Sequence, residues 1–191
     1  LARFGLQVRG YVLVVARPEP ENHLLEIVEG HARSACDWPL VVVGDVKPVN
    51  SYQRRLLAQA SHRVRFIGGV YTPQVLTGLR LHAACHVHGH SVGGTNPSLL
   101  EALACGNVVV AHDNPFNREV ARDAALYFQS AAQLTECLDS VSAWTPVARQ
   151  MATECARTIV ARYYTWVHIT DAYESLMRAE VGSFEPLAQQ P

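Results

Sequence analysis

The groups most able to do chemistry lie in one stretch, His88-Gly89-His90-Ser91-Val92-Gly93-Gly94-Thr95-Asn96-Pro97-Ser98-Leu99-Leu100-Glu101. Two adjacent glycines, Gly93 and Gly94, let a backbone come close to a ligand, and the Asn96-Pro97 start of a helix aims N–H groups into the same space. An anion is favoured at such a helix start, so a phosphate would fit there. An ordinary glycine-rich loop capping a helix fits the same residues, because neither G-x-G-x-x-G nor G-x-x-x-x-G-K-[ST] is present.

Arg17 ends an apolar run, where its guanidinium could offer two parallel hydrogen bonds to a phosphate held at that helix start. Pairing with Glu19 or Glu21 is the alternative. Glu101 falls in the second turn of the same helix, within reach of sugar hydroxyls, or else is a helix-face carboxylate helped by the dipole. His86, His88 and His90 alternate along a strand and share one face. Three imidazoles could bind a transition metal, but no fourth ligand has suggestive spacing, so the expectation is no metal, with His88 and His90 orienting ligand hydroxyls and His86 packed with hydrogen bonds. There is no Asp-x-Asp to clamp a metal-bridged diphosphate. No G-x-S-x-G elbow supports a serine nucleophile, and Cys105 reads as a core thiol.

The elements that must position these groups follow from apolar periodicity. β-Branched runs at Tyr11–Ala16, Leu40–Val43, Val64–Ile67, His86–His88, Val108–Ala111 and Leu126–Phe128 alternate with helical patterns. That alternation predicts an α/β fold, a Rossmann-like, doubly wound, mainly parallel sheet of about six strands. Thr72-Pro73, Asn96-Pro97 and Thr145-Pro146 each place a capping residue before a first-turn proline, and Ser130 with Gln133 suggests a capping box. Helices are expected near 22–35, 51–60, 73–84, 97–105, 116–122, 131–142, 146–162 and 166–180. Ligands of such sheets bind beyond the carboxyl ends of the strands, which is where Arg17, Gly44-Asp45, Gly68 to Tyr71 and the loop from Gly89 fall.

The chain has 191 residues, 49% hydrophobic and 17% charged, with 16 basic against 17 acidic side chains. A net charge of −1 excludes nucleic-acid binding by bulk charge. No apolar run nears the ~20 residues of a membrane helix. The five cysteines have no C-x-x-C pair, which argues against a disulfide framework and for a reducing, cytoplasmic compartment. The start at Leu1 reads as neither a signal peptide nor a natural beginning, so a piece of a longer polypeptide is expected.

Taken in order, the residues Tyr11 to Asn22, Val41 to Asp45, Arg63 to Gly68 and Asn96 to Gly106, followed by Asn117-Arg118-Glu119-Val120, Asp123 to Leu126 and Arg162 to Trp166, resemble the C-terminal half of retaining GT-B glycosyltransferases. The loop from His88 to Ser98 looks most like a rhamnosyltransferase-type subgroup of bacterial polysaccharide enzymes. The resemblance implies a nucleotide-sugar donor-binding domain at 1–165, a helix at 166–181 that packs toward an acceptor-binding N-terminal domain absent from this chain, and a flexible tail at 182–191. It implies transfer of a hexosyl group, rhamnosyl being the suggested case, to a glycan or lipid-linked acceptor. Peripheral contact with the inner face of a membrane through the full-length enzyme is part of that expectation, as is activity without a metal or other cofactor. In the family an Arg at the position of Arg17 and a Lys five residues on hold the diphosphate, and that second position is Asn22 here. Of two family glutamates eight positions apart, the second matches Glu101, expected at the ribose, and the first falls on Gly93. Recognition of the donor sugar is therefore assigned to His90 and the backbone of Gly94, Thr95 and Asn96, phosphate to the helix start at Pro97, Ser98 and Leu99, and the base to Tyr71. The readings kept beside this one are a GT-B-type sugar-nucleotide epimerase and a non-enzymatic nucleotide-sugar binding module.

Overall fold

The computed structural model describes residues 1–182. Six strands, β1 (Val12–Val15), β2 (Leu40–Val43), β3 (Val64–Phe66), β4 (Cys85–His88), β5 (Val109–His112) and β6 (Ala125–Phe128), form one sheet in the order β3-β2-β1-β4-β5-β6. All pairings between these strands are parallel, with Val12 opposite both Leu40 and Cys85. The helices are α1 (Leu24–Arg33), α2 (Ser51–Leu57), α3 (Pro73–Leu81), α4 (Pro97–Ala104), α5 (Pro115–Ala121), α6 (Ala131–Ser142), α7 (Pro146–Tyr163) and α8 (Trp166–Gly182). The expected Rossmann-like, doubly wound sheet is the fold observed.

Parallel strands need crossover connections, so both faces of the sheet are covered. Val12, Val14, Val87, Val110 and Phe128 pack one face against α1, α2 and α6 through Leu24, Ile27, Leu56, Leu134 and Leu138. On the other face Leu13, Val41 and Val43 meet Leu79 of α3, while Val109 and Ala111 meet Leu99 and Leu103 of α4. His86 stands beside Leu13 in register. Alternation therefore puts His86 and His88 on the side of α3 and α4.

The caps came out largely as their residue types require. Asn96 Oδ1 accepts from the Ser98 N–H, Asn114 Oδ1 from Asn117, Thr145 Oγ1 from Ala148 and Ser130 Oγ from Gln133. Two details differ. Gln133 returns its side chain to the Gln129 N–H rather than to Ser130, so the capping box is displaced by one residue. Thr72 makes no side-chain cap, and its carbonyl alone takes the N–H groups of Val75 and Leu76. The helix expected from residue 22 begins at Leu24, because Pro20–Asn22 form a separate 3-10 turn and His23 breaks it at φ 50°. α8 follows α7 and leaves Trp166, Val167, Tyr173, Leu176 and Met177 exposed. The tail expected at 182–191 lies, beyond Gly182, outside the described residues.

Helices α1 and α6 approach closely at Gly30. A Cβ there would stand 2.6 Å from the Ala131 carbonyl oxygen and 3.0 Å from Leu134 Cβ. Helix propensity alone favours Gly30→Ala by about 1 kcal/mol, whereas forcing two packed helices apart costs about 1–3 kcal/mol. The substitution is expected to destabilise the chain, read as a lower urea midpoint; a raised midpoint would show that the helices separate freely.

Candidate functional site

The strand order reverses between β1 and β4, and the loops leaving their carboxyl ends diverge there. A cavity of about 180 Å³ opens at this point, lined by Arg17, Asn22, His88, His90, Asn96 and Ser98 among others. A second, of about 450 Å³, lies beyond β2 and β3 between Arg17 and Tyr71. The two meet at Arg17.

Arg17 is exposed and makes no ion pair with Glu19 or Glu21 among the described residues. Asn22 is buried, and both ends of its amide are engaged. Its Nδ2 donates to the Arg17 carbonyl at 2.9 Å, which turns Oδ1 toward His90 Nδ1 at 2.6 Å. Asn22 Oδ1 can only accept, so His90 Nδ1 carries the proton of this bond, and Nε2 makes no hydrogen bond among the described residues. The His90 carbonyl is held by Asn117 Nδ2 at 2.8 Å and Asn114 Nδ2 at 3.1 Å. A loop crossing this tightly needs Gly89, since a Cβ there would fall 2.1 Å from the Asn22 carbonyl oxygen. Gly93, at φ 94°, then turns the chain through a conformation that side chains disfavour.

The helix start at α4 offers fewer donors than its sequence suggests. Pro97 has no N–H, Asn96 Oδ1 takes that of Ser98 at 2.9 Å, and Leu99, fully buried, gives its N–H to the Asn96 carbonyl. Just before the helix, the backbone N–H groups of Val92, Gly93, Gly94, Thr95 and Asn96 have no partner among the described residues. Thr95, Gly93 and Gly94 are exposed to solvent.

Glu101 lines neither cavity. Its Oε2 pairs at 2.7 Å with Nη2 of Arg80, a side chain only 4% exposed, whereas that of Glu101 is 55% exposed. The sequence offered Glu101 a ligand role or a helix-face one; the ion pair gives it a part in the fold, because a buried guanidinium stripped of its partner is costly. Burial lowers the pKa of Arg80 and Glu101 works against that shift. Tyr71, exposed, donates to Asp45 Oδ2 at 2.5 Å, and Asp45 Oδ1 accepts from the Gly69 N–H. The Tyr71 hydroxyl first, then Gly69, hold the Asp45 carboxyl below its usual range.

The three alternating histidines do not converge. Ring centroids are 6.4 Å apart between His86 and His88 and 6.1 Å between His88 and His90. No group of three or more His, Cys, Asp or Glu suited to a metal is found among the described residues. His86 was expected to be hydrogen-bonded, but neither ring nitrogen has a partner, nor does His88 Nε2. Burial pushes His88 down to about 3 and His86 well below its ordinary value, so both rings stay neutral. A larger cavity of about 660 Å³ lies between α5 and α7. Two of its three cations are paired, Arg118 with Asp113 and Arg122 with Glu119; the third, Arg162, makes no ion pair among the described residues and lies over the Tyr163 ring.

Sequence reasoning missed Arg80 and Asp45 as partners of Glu101 and Tyr71, and missed the clamp of Asn114 and Asn117 on His90. Only the Asn114 cap before Pro115 was a visible signal. Among the described residues no helix is long and apolar enough to cross a membrane.

The family model described as "Glycosyl transferases group 1" matches residues 7–153. No curated protein sequence matches the chain. Among solved structures, sucrose-phosphate synthase from Thermosynechococcus elongatus superposes with a TM-score of 0.78 at 19% identity, over 96% of this chain and 48% of that one. Anabaena HepE in complex with UDP gives 0.78 at 15% identity, over 93% and 51%. The C-terminal domain of a glycosyl transferase group 1 family protein from Francisella tularensis gives 0.68 at 18%, over 82% and 87%. The chain thus spans about half the length of the first two.

The buried histidines generate a pH dependence. His31, His86, His88 and His112 all titrate below their ordinary value, mainly through burial. A depressed folded-state pKa gives stability that is full above the unfolded value and lost as pH falls below it. His88, held near 3, steepens the decline between about pH 6 and 5 by up to about 1.4 kcal/mol per pH unit, and the other three act in the same direction. His88→Gln should remove one group's share of that slope in denaturant titrations at each pH; an unchanged slope would mean that His88 is protonated in the fold.

Proposed function

The chain belongs to the group 1 glycosyl transferases, and from that premise we propose that it is the nucleotide-sugar donor-binding half of a retaining GT-B enzyme. The observation that carries the reading is the crevice at the β1/β4 switch, lined by an unpaired Arg17 and by Asn96, which ends a run of residues from Gly93 whose N–H groups have no partner among the described residues. A diphosphate lying between them would take a guanidinium on one side and neutral donors on the other. The solved structure of HepE with UDP supports a nucleoside diphosphate as the class of ligand.

The roles follow from position. Arg17 and the N–H groups of Gly93 to Asn96 neutralise the charge that develops on the departing diphosphate, the interaction that stabilises a transfer transition state. Asn22 carries no charge to the phosphate; it holds the Arg17 loop and His90 at a fixed separation. His90 Nε2 accepts from a hydroxyl of the donor sugar, Glu101 takes the pentose hydroxyls of the nucleoside, and Tyr71 borders the base. The sugar transferred is a hexose, rhamnose being the case the loop residues suggest. An acceptor domain outside these 191 residues supplies the other wall of the cleft, so the chain alone is expected to turn over no donor, since holding both reactants is a large part of catalysis.

Calorimetric titration with a panel of nucleoside diphosphates tests the reading. Binding should be seen, and should persist in EDTA, because among the described residues no carboxylate lines the cavity at the β1/β4 switch. Loss of binding on chelation would overturn the metal-free mode, and absence of binding for the whole panel would overturn the donor assignment. Hydrogen bonds to charged groups contribute about 1.5–3 kcal/mol, so Arg17→Ala should weaken the diphosphate about ten-fold or more and leave the bare nucleoside unchanged. Equal losses for both would remove Arg17 from the phosphate site.

A further inference from the structure

Arg80 sits in the last turn of α3 with its guanidinium buried, and it is fixed at two levels. Its carbonyl accepts from Asn107 Nδ2 at 2.7 Å. Its Nη2 reaches Glu101 Oε2 at 2.7 Å and Ser98 Oγ at 3.2 Å, both on α4. We propose that Arg80 is a positioning residue for the donor site: from beneath α4 it holds the Glu101 carboxylate in the one orientation that receives the pentose hydroxyls of the nucleoside. The proposal rests on the donor reading of Glu101 above.

Three observations carry it. The pair is asymmetric, with a buried cation and a carboxylate more than half exposed, so Arg80 fixes the geometry while Glu101 faces outward. Only Oε2 is engaged; Oε1 has no partner among the described residues, and an acceptor-only carboxylate with a free oxygen is what hydroxyl donors require. The same nitrogen also touches Ser98, whose hydroxyl lies 3.4 Å from the Val15 carbonyl and which lines the cavity beside Arg17. Arg80 thereby links the Glu101 carboxylate to a hydroxyl at the cavity wall. A glutamate left free on a helix would lose side-chain freedom when a ligand bound, and the buried guanidinium removes that cost before the ligand arrives.

The competing account is that Glu101 serves only as the counter-ion that Arg80 needs in order to be buried. The two differ in how the chain discriminates a nucleoside diphosphate from its 2′,3′-dideoxy counterpart. The probe is the tightest binder among the diphosphates of uridine, guanosine, adenosine and thymidine, compared by calorimetry with its dideoxy form and with inorganic pyrophosphate. The parent should prefer the hydroxylated form by about ten-fold or more. Arg80→Met should reduce that preference to within about three-fold while leaving pyrophosphate unchanged, and Arg80→Lys should restore part of it. A folded Arg80→Met that keeps the preference, alongside a Glu101→Gln that loses it, overturns the role of Arg80 and leaves the donor reading intact. A Glu101→Gln that keeps the preference removes Glu101 from the pentose, and the proposal with it. Where Arg80→Met does not fold, Arg80→Lys decides: a lower melting temperature with the full preference is the counter-ion account, and a reduced preference is the positioning one.

Discussion

A parallel sheet that reverses its order between β1 and β4 leaves a gap at its carboxyl edge, and the geometry of the crevice depends on how that gap is spanned. Here a buried amide and a serine span it. Asn22 donates to the Arg17 carbonyl on the β1 side and accepts from His90 on the β4 side, and Ser91 of the β4 loop gives both its N–H and its hydroxyl to the Glu21 carbonyl, so these contacts together set the separation of the two loops. Gly89 lets the loops pass at that distance, and Asn117 pins the far side of His90 to the end of β5. A charged residue at position 22 would sit poorly in this burial. The asparagine is suited to the wall of the cavity.

Below the crevice, on the sheet face toward α3 and α4, the strand residues are uncharged. His86 and His88 are buried there without full sets of partners and therefore lose their charge. Above it the polar groups are exposed or unpaired: the Arg17 guanidinium, the N–H groups of Gly93 to Asn96, and Glu101 propped on Arg80. Charge at the rim over neutral strand residues places electrostatic attraction where a ligand enters.

The features legible in the sequence were those set by neighbours along the chain. Apolar runs such as Leu40–Val43 located the strands, and Asn96-Pro97 and Thr145-Pro146 located helix starts, because a cap and its first turn are within three residues of each other. The site pairings join residues far apart: Asn22 to His90 over 68 positions, Asp45 to Tyr71 over 26, and Arg80 to Glu101 between two helices. Nothing local marks Arg80, in Gly78-Leu79-Arg80-Leu81, as buried rather than solvated. Family resemblance singled out Asn22 and Gly93 as departures, but only the packing shows what each does instead.

Those two departures bear on one another. The family lysine would have added a second cation beside Arg17, and the first family glutamate would have placed a carboxylate at Gly93, two residues before Thr95. With both absent, the charge that the family would balance across the crevice is removed in equal amounts from each side. A glycine at φ 94° instead exposes main-chain N–H groups, and Asn22 instead accepts from His90 Nδ1. On the proposed reading the donor is thus held by one guanidinium and an array of uncharged groups, with directional hydrogen bonds standing where the family uses paired charges. Such contacts depend on exact placement more than on field strength, which is why the loops here are braced by buried Asn22, Gly89 and Asn117 rather than left to a flexible lysine.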